Sequence, residues 1–553
     1  MRTQIRPEDL FHSAVEDIKN NFYNEAEIKL KEANLRSPNR QSIMLNLSSV
    51  LLKLEKYEET EKILEEAIQN FPRDADLLLN RSFLLIIRNQ YIDAIKLLLK
   101  IIRIDPKISA AYYKLASCYS KIGDTEKAIK NYQKSFSISP DISCLSNIIF
   151  YSNFLENYSD SEYLNLLNRF IFFLPKIENN KKLDLNFKKE NILNIGFISG
   201  DLRNNHPVGN FLYDFLFNLR KHFNLFYYCN IPENENAKDF KEIFTKWINI
   251  NETEDSEVID FIKEQRTDIL IDLSGHTSKN RLNIFVQKAA PIQITWCGYL
   301  NSTGIREIDY IIGDPHVTPL KDQFKYVEKI LQMPKIWNCF SKPNYSEIKI
   351  TSETPYIQNK YITFGSFNQL NKINSAVIKL WSEIILHTKT GKLLLTAPEL
   401  SDEKIKDRLY KKFFNLGISK EKIIMKGKQP RNKLLEEYNN IDIALDPFPY
   451  NGGSTSFECA FMGVPMLTLQ GDRFLSRCGE SINKNLSMNN WIAKDKDEYF
   501  QKAINFSKDI NNLNLIRKNL HNKALNSPLY NCKEFTDDFV KIIKNLKPKQ
   551  ITI

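Results

Sequence analysis

The chain has 553 residues, 42% of them hydrophobic and 12% aromatic, with a net charge of +10. So long a chain exceeds what one hydrophobic core serves, so two to four globular domains are expected. The positive excess is mild and interspersed with acidic residues, which gives no support to a nucleic-acid partner.

Eight scattered cysteines, Cys118, Cys144, Cys229, Cys297, Cys339, Cys459, Cys478 and Cys532, show no CxxC and no Cys/His zinc spacing. They read as free buried thiols in a reducing compartment, with no metal site. The first residues lack the apolar core of a signal peptide, and no apolar run reaches 18 residues. The expectation is a cytoplasmic protein with no membrane partner.

The first 140 residues repeat. Prolines fall at 38, 72, 106 and 140, each 34 apart, and that register aligns Ala26, Thr60, Ala94 and Ala128. A second column holds Ala33, Ala67, Ile101 and Ser135, and a third holds Tyr23, Tyr57 and Tyr91 before breaking at Thr125. Small residues where helices approach, with proline after the second helix, are the tetratricopeptide signature. Four such repeats over 1–141 predict a helical superhelix with a concave groove suited to a peptide or protein partner. Beyond them, 142–190 is expected as a helical linker. Within it Ile148–Pro175 should pack on the last repeat, and the charged stretch Glu178–Glu190 should form the connection.

After residue 190 short apolar runs alternate with helical stretches. Expected strands are Ile192–Ile198, Leu225–Cys229, Ile269–Leu273, Ile292–Trp296, Tyr310–Ile312 and Lys329–Met333. A second series is Tyr361–Phe364, Lys392–Thr396, Lys422–Met425, Ile441–Leu445 and Met466–Leu469. Two consecutive strand–helix series predict two doubly wound parallel sheets of Rossmann type, assigned to 191–354 and 355–553. Ligands of such sheets sit beyond the carboxyl ends of strands, so the cleft between the two domains is the expected site.

Within the second series, Asn451-Gly452-Gly453-Ser454-Thr455 joins a strand to a helix. Two glycines allow close backbone approach, and a helix start offers unpaired amides and the positive end of its dipole to a phosphate. Glu458, one turn on, suits a ribose diol. Other candidates stand at strand ends: Asp201 with His206, Asp272 with His276, and Phe367-Asn368-Gln369 with Lys372. Gathered around the glycine turn, one lysine and several amides would hold a diphosphate.

These stretches together resemble the O-GlcNAc transferase/SPINDLY family of glycosyltransferases. The resemblance rests on NIGFISGDLRNNHPVGNFL (194–212), DLSGHTSKNRLNIFVQKAAPIQITWCGYLNSTG (272–304), FNQLNKINSAVIKLW (367–381) and LDPFPYNGGSTSFECAFMGVPMLTL (445–469). It implies tetratricopeptide repeats followed by a GT-B-type pair of Rossmann-like domains. It also implies inverting, metal-independent transfer of a sugar from a nucleotide diphosphate donor to Ser or Thr hydroxyls of proteins, with no cofactor.

By that resemblance, Lys372 contacts the donor diphosphate and steadies the departing phosphate, and Gln369 touches the donor. Ser454 and Thr455 hold phosphates beside Gly452 and Gly453, Glu458 takes the ribose, and Arg431 stands where the animal enzymes have a donor-side lysine. Gly298 and His276 belong to the sugar pocket, and His206 lies near the reacting centre. Gly453 and Leu434 replace histidines of the animal enzymes, and Leu300 replaces a proline. These departures bring the chain closer to the SPINDLY and bacterial branch. UDP-GlcNAc is the implied donor, with GDP-fucose as the alternative. Two other classes, a non-catalytic scaffold that senses a nucleotide sugar and a nucleotide-sugar epimerase, share the architecture but call for different outcomes with a protein acceptor.

Overall fold

The computed structural model describes residues 6–174, 192–232, 237–341 and 348–547, which divide into two compact units, Met1–Cys144 and Leu145–Ile553.

In the first unit the 34-residue period becomes four helix pairs. They are α1 (Pro7–Lys19) with α2 (Tyr23–Arg36), α3 (Gln41–Lys53) with α4 (Tyr57–Asn70), α5 (Ala75–Ile87) with α6 (Tyr91–Ile104), and α7 (Ser109–Lys121) with α8 (Thr125–Ile138). Both small-residue columns are sealed from solvent, at 1% exposure or less throughout. A side chain of one or two carbons lets neighbouring helix backbones close up where a larger one would hold them apart. Leu10, Leu30, Ile43 and Leu47 share one core across α1, α2 and α3, so each repeat completes its neighbour.

A further column escaped the sequence reading. Asn21, Glu55, Asn89 and Gly123, also 34 apart, all turn between paired helices at φ of 58° to 73°. Asparagine and glycine tolerate that left-handed conformation, whereas Glu55 adopts it against its preference.

The second unit holds two all-parallel sheets. The first runs β1 (Asn194–Ser199), β2 (Asn224–Cys229), β3 (Lys246–Asn249), β4 (Ile269–Asp272), β5 (Ile292–Thr295), β6 (Tyr310–Gly313) and β7 (Lys329–Gln332), in spatial order β3-β2-β1-β4-β5-β6-β7. The second runs β8 (Thr363–Ser366), β9 (Lys392–Thr396), β10 (Ile423–Lys426), β11 (Ile443–Leu445), β12 (Met466–Leu469) and β13 (Ile492–Ala493), in order β10-β9-β8-β11-β12-β13.

All eleven expected strands are present within two residues of their bounds. The two unexpected ones, β3 and β13, lie at sheet edges, where a strand is not covered on both faces and loses the continuous apolar run that betrays a central parallel strand. In each sheet the chain order reverses at one crevice, β1/β4 and β8/β11, and the ends of those four strands carry most of the candidate residues, with Gly298 after β5 and Arg431 after β10.

Contacts among the described residues cross the expected domain bounds in three places. After the repeats, helix Ile142–Ser152 runs across the division at 144, and its later residues and helix Asp160–Phe172 belong to the second unit. Asn153 Nδ2 donates to the Tyr299 hydroxyl at 2.9 Å, Asn301 donates to Asn153 Oδ1 at 2.8 Å, and the Tyr163 hydroxyl donates to Ser302 O at 2.8 Å. The stretch 178–190 lies outside the described residues.

The second sheet's territory begins earlier than 355, since the Thr351 and Thr354 amides donate to Asn439 and Asn514 at 3.1 Å. It also ends earlier than 553. The last helix, Cys532–Lys544, returns to the first sheet, where Phe539 and Phe535 pack on Phe215 and Trp296 at centroid distances of 5.0 to 6.1 Å. Aromatic burial decides that placement, because its apolar stripe finds its partner across the molecule.

Candidate active site

Between the two sheets lies a cavity of about 270 Å³, walled by the ends of β1, β4, β5, β8 and β11 and by Phe150 and Phe154 from the segment ahead of β1. Of the predicted residues, His206, Gly298, Gln369, Lys372, Gly453, Ser454 and Thr455 line it. His276, Arg431, Gly452 and Glu458 do not.

The glycine turn is built by a buried carboxylate. Asp446, at the end of β11, accepts the Gly452 amide on one oxygen at 2.7 Å and the Thr468 hydroxyl on the other at 2.7 Å. The Gly452 amide therefore faces inward and is spent, correcting its expected role at a phosphate. Gly453 caps the helix Ser454–Phe461 without a side-chain hydrogen bond, and Gly453, Ser454 and Thr455 line the cavity. The leading amides of this two-turn helix and the positive end of its dipole thus stand at the cavity wall. Thr455 Oγ1 donates to Asn368 Oδ1 at 3.1 Å, tying the turn to the loop after β8.

That loop carries Lys372. Its ammonium donates to Asn451 O at 2.7 Å and sits over the Tyr450 ring, 4.3 Å from the centroid. Enclosure of the ammonium lowers its pKa to about 8, against the pull of Asp446 and Cys478. An ammonium has three donors, so two remain to meet an anion in the cavity.

His206 caps the helix Pro207–Leu219, its Nδ1 accepting the Val208 amide at 3.4 Å. Its Nε2 stands 3.4 Å from Asp201 Oδ1. An accepted amide fixes the lone pair on Nδ1 and the proton on Nε2, directed at Asp201. Burial lowers the imidazole pKa and raises that of Asp201, so proton exchange at this wall belongs to the pair rather than to His206 alone.

His276 is a correction. It is 1% exposed, its Nε2 donates to Thr303 O at 3.0 Å, and its Nδ1 accepts from Ser146 Oγ at 2.9 Å. Its ring packs edge-on to Phe170 and Tyr299, and burial pulls its pKa to about 4. It is a neutral structural cross-link, while its neighbours Thr277 and Ser278 reach the cavity. His276→Phe is expected to lower stability by about 1–3 kcal/mol, the cost of stranding a buried carbonyl and hydroxyl. Turnover should stay within about twofold, which thermal denaturation and kinetics together would check.

Glu458 is a second correction. The carboxylate is 3% exposed and its Oε1 accepts from Arg431 Nη2 at 2.5 Å, so the two residues engage each other away from the cavity wall. Sequence reasoning did not single out Phe150, Phe154, Tyr450 or Asp446. Phe150 and Phe154 carry no motif signal, since an aromatic in an apolar stretch reads as core, whereas Asp446 and Tyr450 stand inside the 445–469 motif.

All eight cysteines are buried and none is in a disulfide. Among the described residues no cluster of three or more His, Cys, Asp or Glu side chains could hold a metal, and no helix is long and apolar enough to cross a membrane.

Comparison with known proteins meets this geometry from the outside. The SPINDLY protein of Eustoma exaltatum subsp. russellianum, named as a probable UDP-N-acetylglucosamine–peptide N-acetylglucosaminyltransferase, is 32% identical over 293 residues, covering 53% of this chain and 32% of its own. The Arabidopsis thaliana SEC protein, named for the same activity, is 25% identical over 368 residues, covering 64% and 36%. The chain thus spans about a third of the length of the curated relatives it matches. A solved structure of a Thermobaculum terrenum O-GlcNAc transferase mutant superposes with a TM-score of 0.83 at 24% identity, covering 91% of this chain and 96% of that one, which places the two sheets in the GT-B architecture. A tetratricopeptide repeat model matches residues 109–142, and the model of Glycosyl transferase family 41 matches 169–344 and 341–539. The chain belongs to glycosyl transferase family 41.

Proposed function

We propose that this chain transfers a sugar from a nucleoside diphosphate donor to Ser or Thr hydroxyls of proteins, with inversion and without a metal. The observation that carries the reading is one cavity faced from one side by the Lys372 ammonium and from another by the helix start at Gly453–Thr455. Both are complementary to a diphosphate, and both gain strength as negative charge grows on it during departure.

In a single displacement the acceptor oxygen attacks the anomeric carbon as the bond to the diphosphate breaks. The hydroxyl proton passes to the Asp201–His206 pair, where burial raises the carboxyl pKa toward neutral pH while it lowers that of the imidazole. Lys372 and the helix amides neutralise the leaving group. GlcNAc from UDP-GlcNAc is the proposed cargo, in keeping with the names of the relatives. The repeat groove is proposed to hold the protein acceptor.

Incubating the protein with candidate acceptors and UDP-GlcNAc, UDP-glucose or GDP-fucose, then weighing the intact acceptors, tests this reading. A mass increment of one N-acetylhexosamine is expected. An increment of one deoxyhexose would replace the proposed donor by GDP-fucose, and release of free sugar without any acceptor product would overturn protein transfer.

A further inference from the structure

We propose that Phe154 is a positioning residue for the transfer: its ring holds Tyr450, and Tyr450 holds the Lys372 ammonium at the cavity. The proposal rests on the transferase reading of the same site and adds a residue that lies outside both sheets.

The chain of contacts is short. Phe154 is 2% exposed and stacks on Tyr450, with ring centroids 4.7 Å apart and planes inclined by 29°. The Lys372 ammonium rests on that same Tyr450 ring at 4.3 Å. A cation over an aromatic face is held by the ring quadrupole, and the attraction grows where water is excluded. It is also directional: if the ring tilts or slides, the ammonium loses its seat and its bond to Asn451 O must bear the alignment alone.

What holds Phe154 is equally specific. The preceding residue, Asn153, is fully engaged, with Nδ2 donating to Ile149 O and to the Tyr299 hydroxyl at 2.9 Å and Oδ1 accepting from Asn301. The following residue, Leu155, offers its carbonyl to Arg473 Nη2 at 3.3 Å. The Phe150 ring, one helical turn earlier, meets Phe154 edge-on at 5.4 Å. Residues 153–155 are therefore pinned to a loop of the first sheet on one side and to a loop of the second on the other. A buried aromatic held from both sheets, against the ring that seats the only lysine on the cavity wall among the described residues, has a use beyond filling space.

A double-mutant cycle separates positioning from packing, since residues that act through one another are non-additive. The affinity for UDP alone, by calorimetry, and turnover with the donor are measured for wild type, Phe154→Leu, Lys372→Ala and the double variant. Phe154→Leu keeps an apolar side chain but removes the stack, and it is expected to weaken UDP binding about fivefold and lower kcat about tenfold. In the Lys372→Ala background the same change should do neither. Phe154→Tyr, which keeps the ring outline, should stay within about twofold of wild type.

Equal losses from Phe154→Leu in both backgrounds, or wild-type behaviour of that variant, would overturn the proposal. If Phe154→Leu does not fold, Tyr450→Leu against Tyr450→Phe provides the same cycle on the middle ring. Absence of turnover in the wild type with every donor would sink the transferase reading instead, and the UDP affinities would still decide whether Phe154 acts through Lys372.

Discussion

Replacing Lys372 with alanine is expected to lower kcat by about 10²–10³-fold, some 2.7–4 kcal/mol of barrier, with the fold intact. The site loses the one side-chain cation on its cavity wall among the described residues, and a departing diphosphate is where fixed positive charge counts most. Radiolabelled donor turnover beside thermal denaturation would check it, and normal turnover would remove Lys372 from the mechanism.

The same ammonium sets a pH limb. Enclosure lowers its pKa to about 8, so it is charged below that pH and loses its proton above it. The kcat/KM profile is expected to fall on the alkaline side with a midpoint near 8, and Lys372→Arg, charged throughout, should flatten that fall. Stability moves in the opposite sense. An unfolded lysine keeps its proton to about pH 10.4, so between the two values the unfolded chain binds more protons and this group favours the fold increasingly as pH rises.

Gly298→Ala is expected to cost both stability and activity. A Cβ there would stand 2.0 Å from Leu273 O, a backbone atom just past β4, and the wall of the cavity would have to move. Overpacking of this kind costs about 1–3 kcal/mol, or roughly 1 °C for each kcal/mol in a unit of about 400 residues. Because the displaced segment faces the donor, kcat/KM should fall with Tm. Gly453→Ala makes the contrast. A Cβ at that position meets nothing within 4 Å, but φ of −101° with ψ of −104° lies outside the regions L residues favour, so Tm should fall by less than for Gly298→Ala. Equal Tm values for the two variants would contradict this account of the wall.

The sequence was most readable where a regular period or a central strand imposed it. Four prolines 34 apart gave the helix pairs, and largely apolar runs marked the inner strands, because burial on both faces favours apolar residues there. Edge strands β3 and β13 left no such trace. The left-handed column at 21, 55, 89 and 123 was equally hidden, because three residue types meet the same φ.

At the site, strand ends bring His206, Gly298, Lys372 and residues 453–455 to one cavity wall. The candidates that stand off that wall share a cause. Glu458 and His276 are polar residues near a ligand-binding motif whose side chains turned out to be satisfied by Arg431, Ser146 and Thr303. Pairing of that kind depends on residues 27 to 130 positions away and cannot be read from local spacing. Phe154 and Tyr450 stand almost 300 positions apart, and only folding brings them together.

The division between the two units has a practical side. A catalytic fragment cut where the sequence pattern changes, near residue 190, would discard Phe150 and Phe154, strip His276 of its Ser146 partner and open one side of the cavity. Among the described residues, none before Leu145 contributes to that wall. Duplication or loss of whole repeats upstream of residue 144 would leave every side chain on that wall in place.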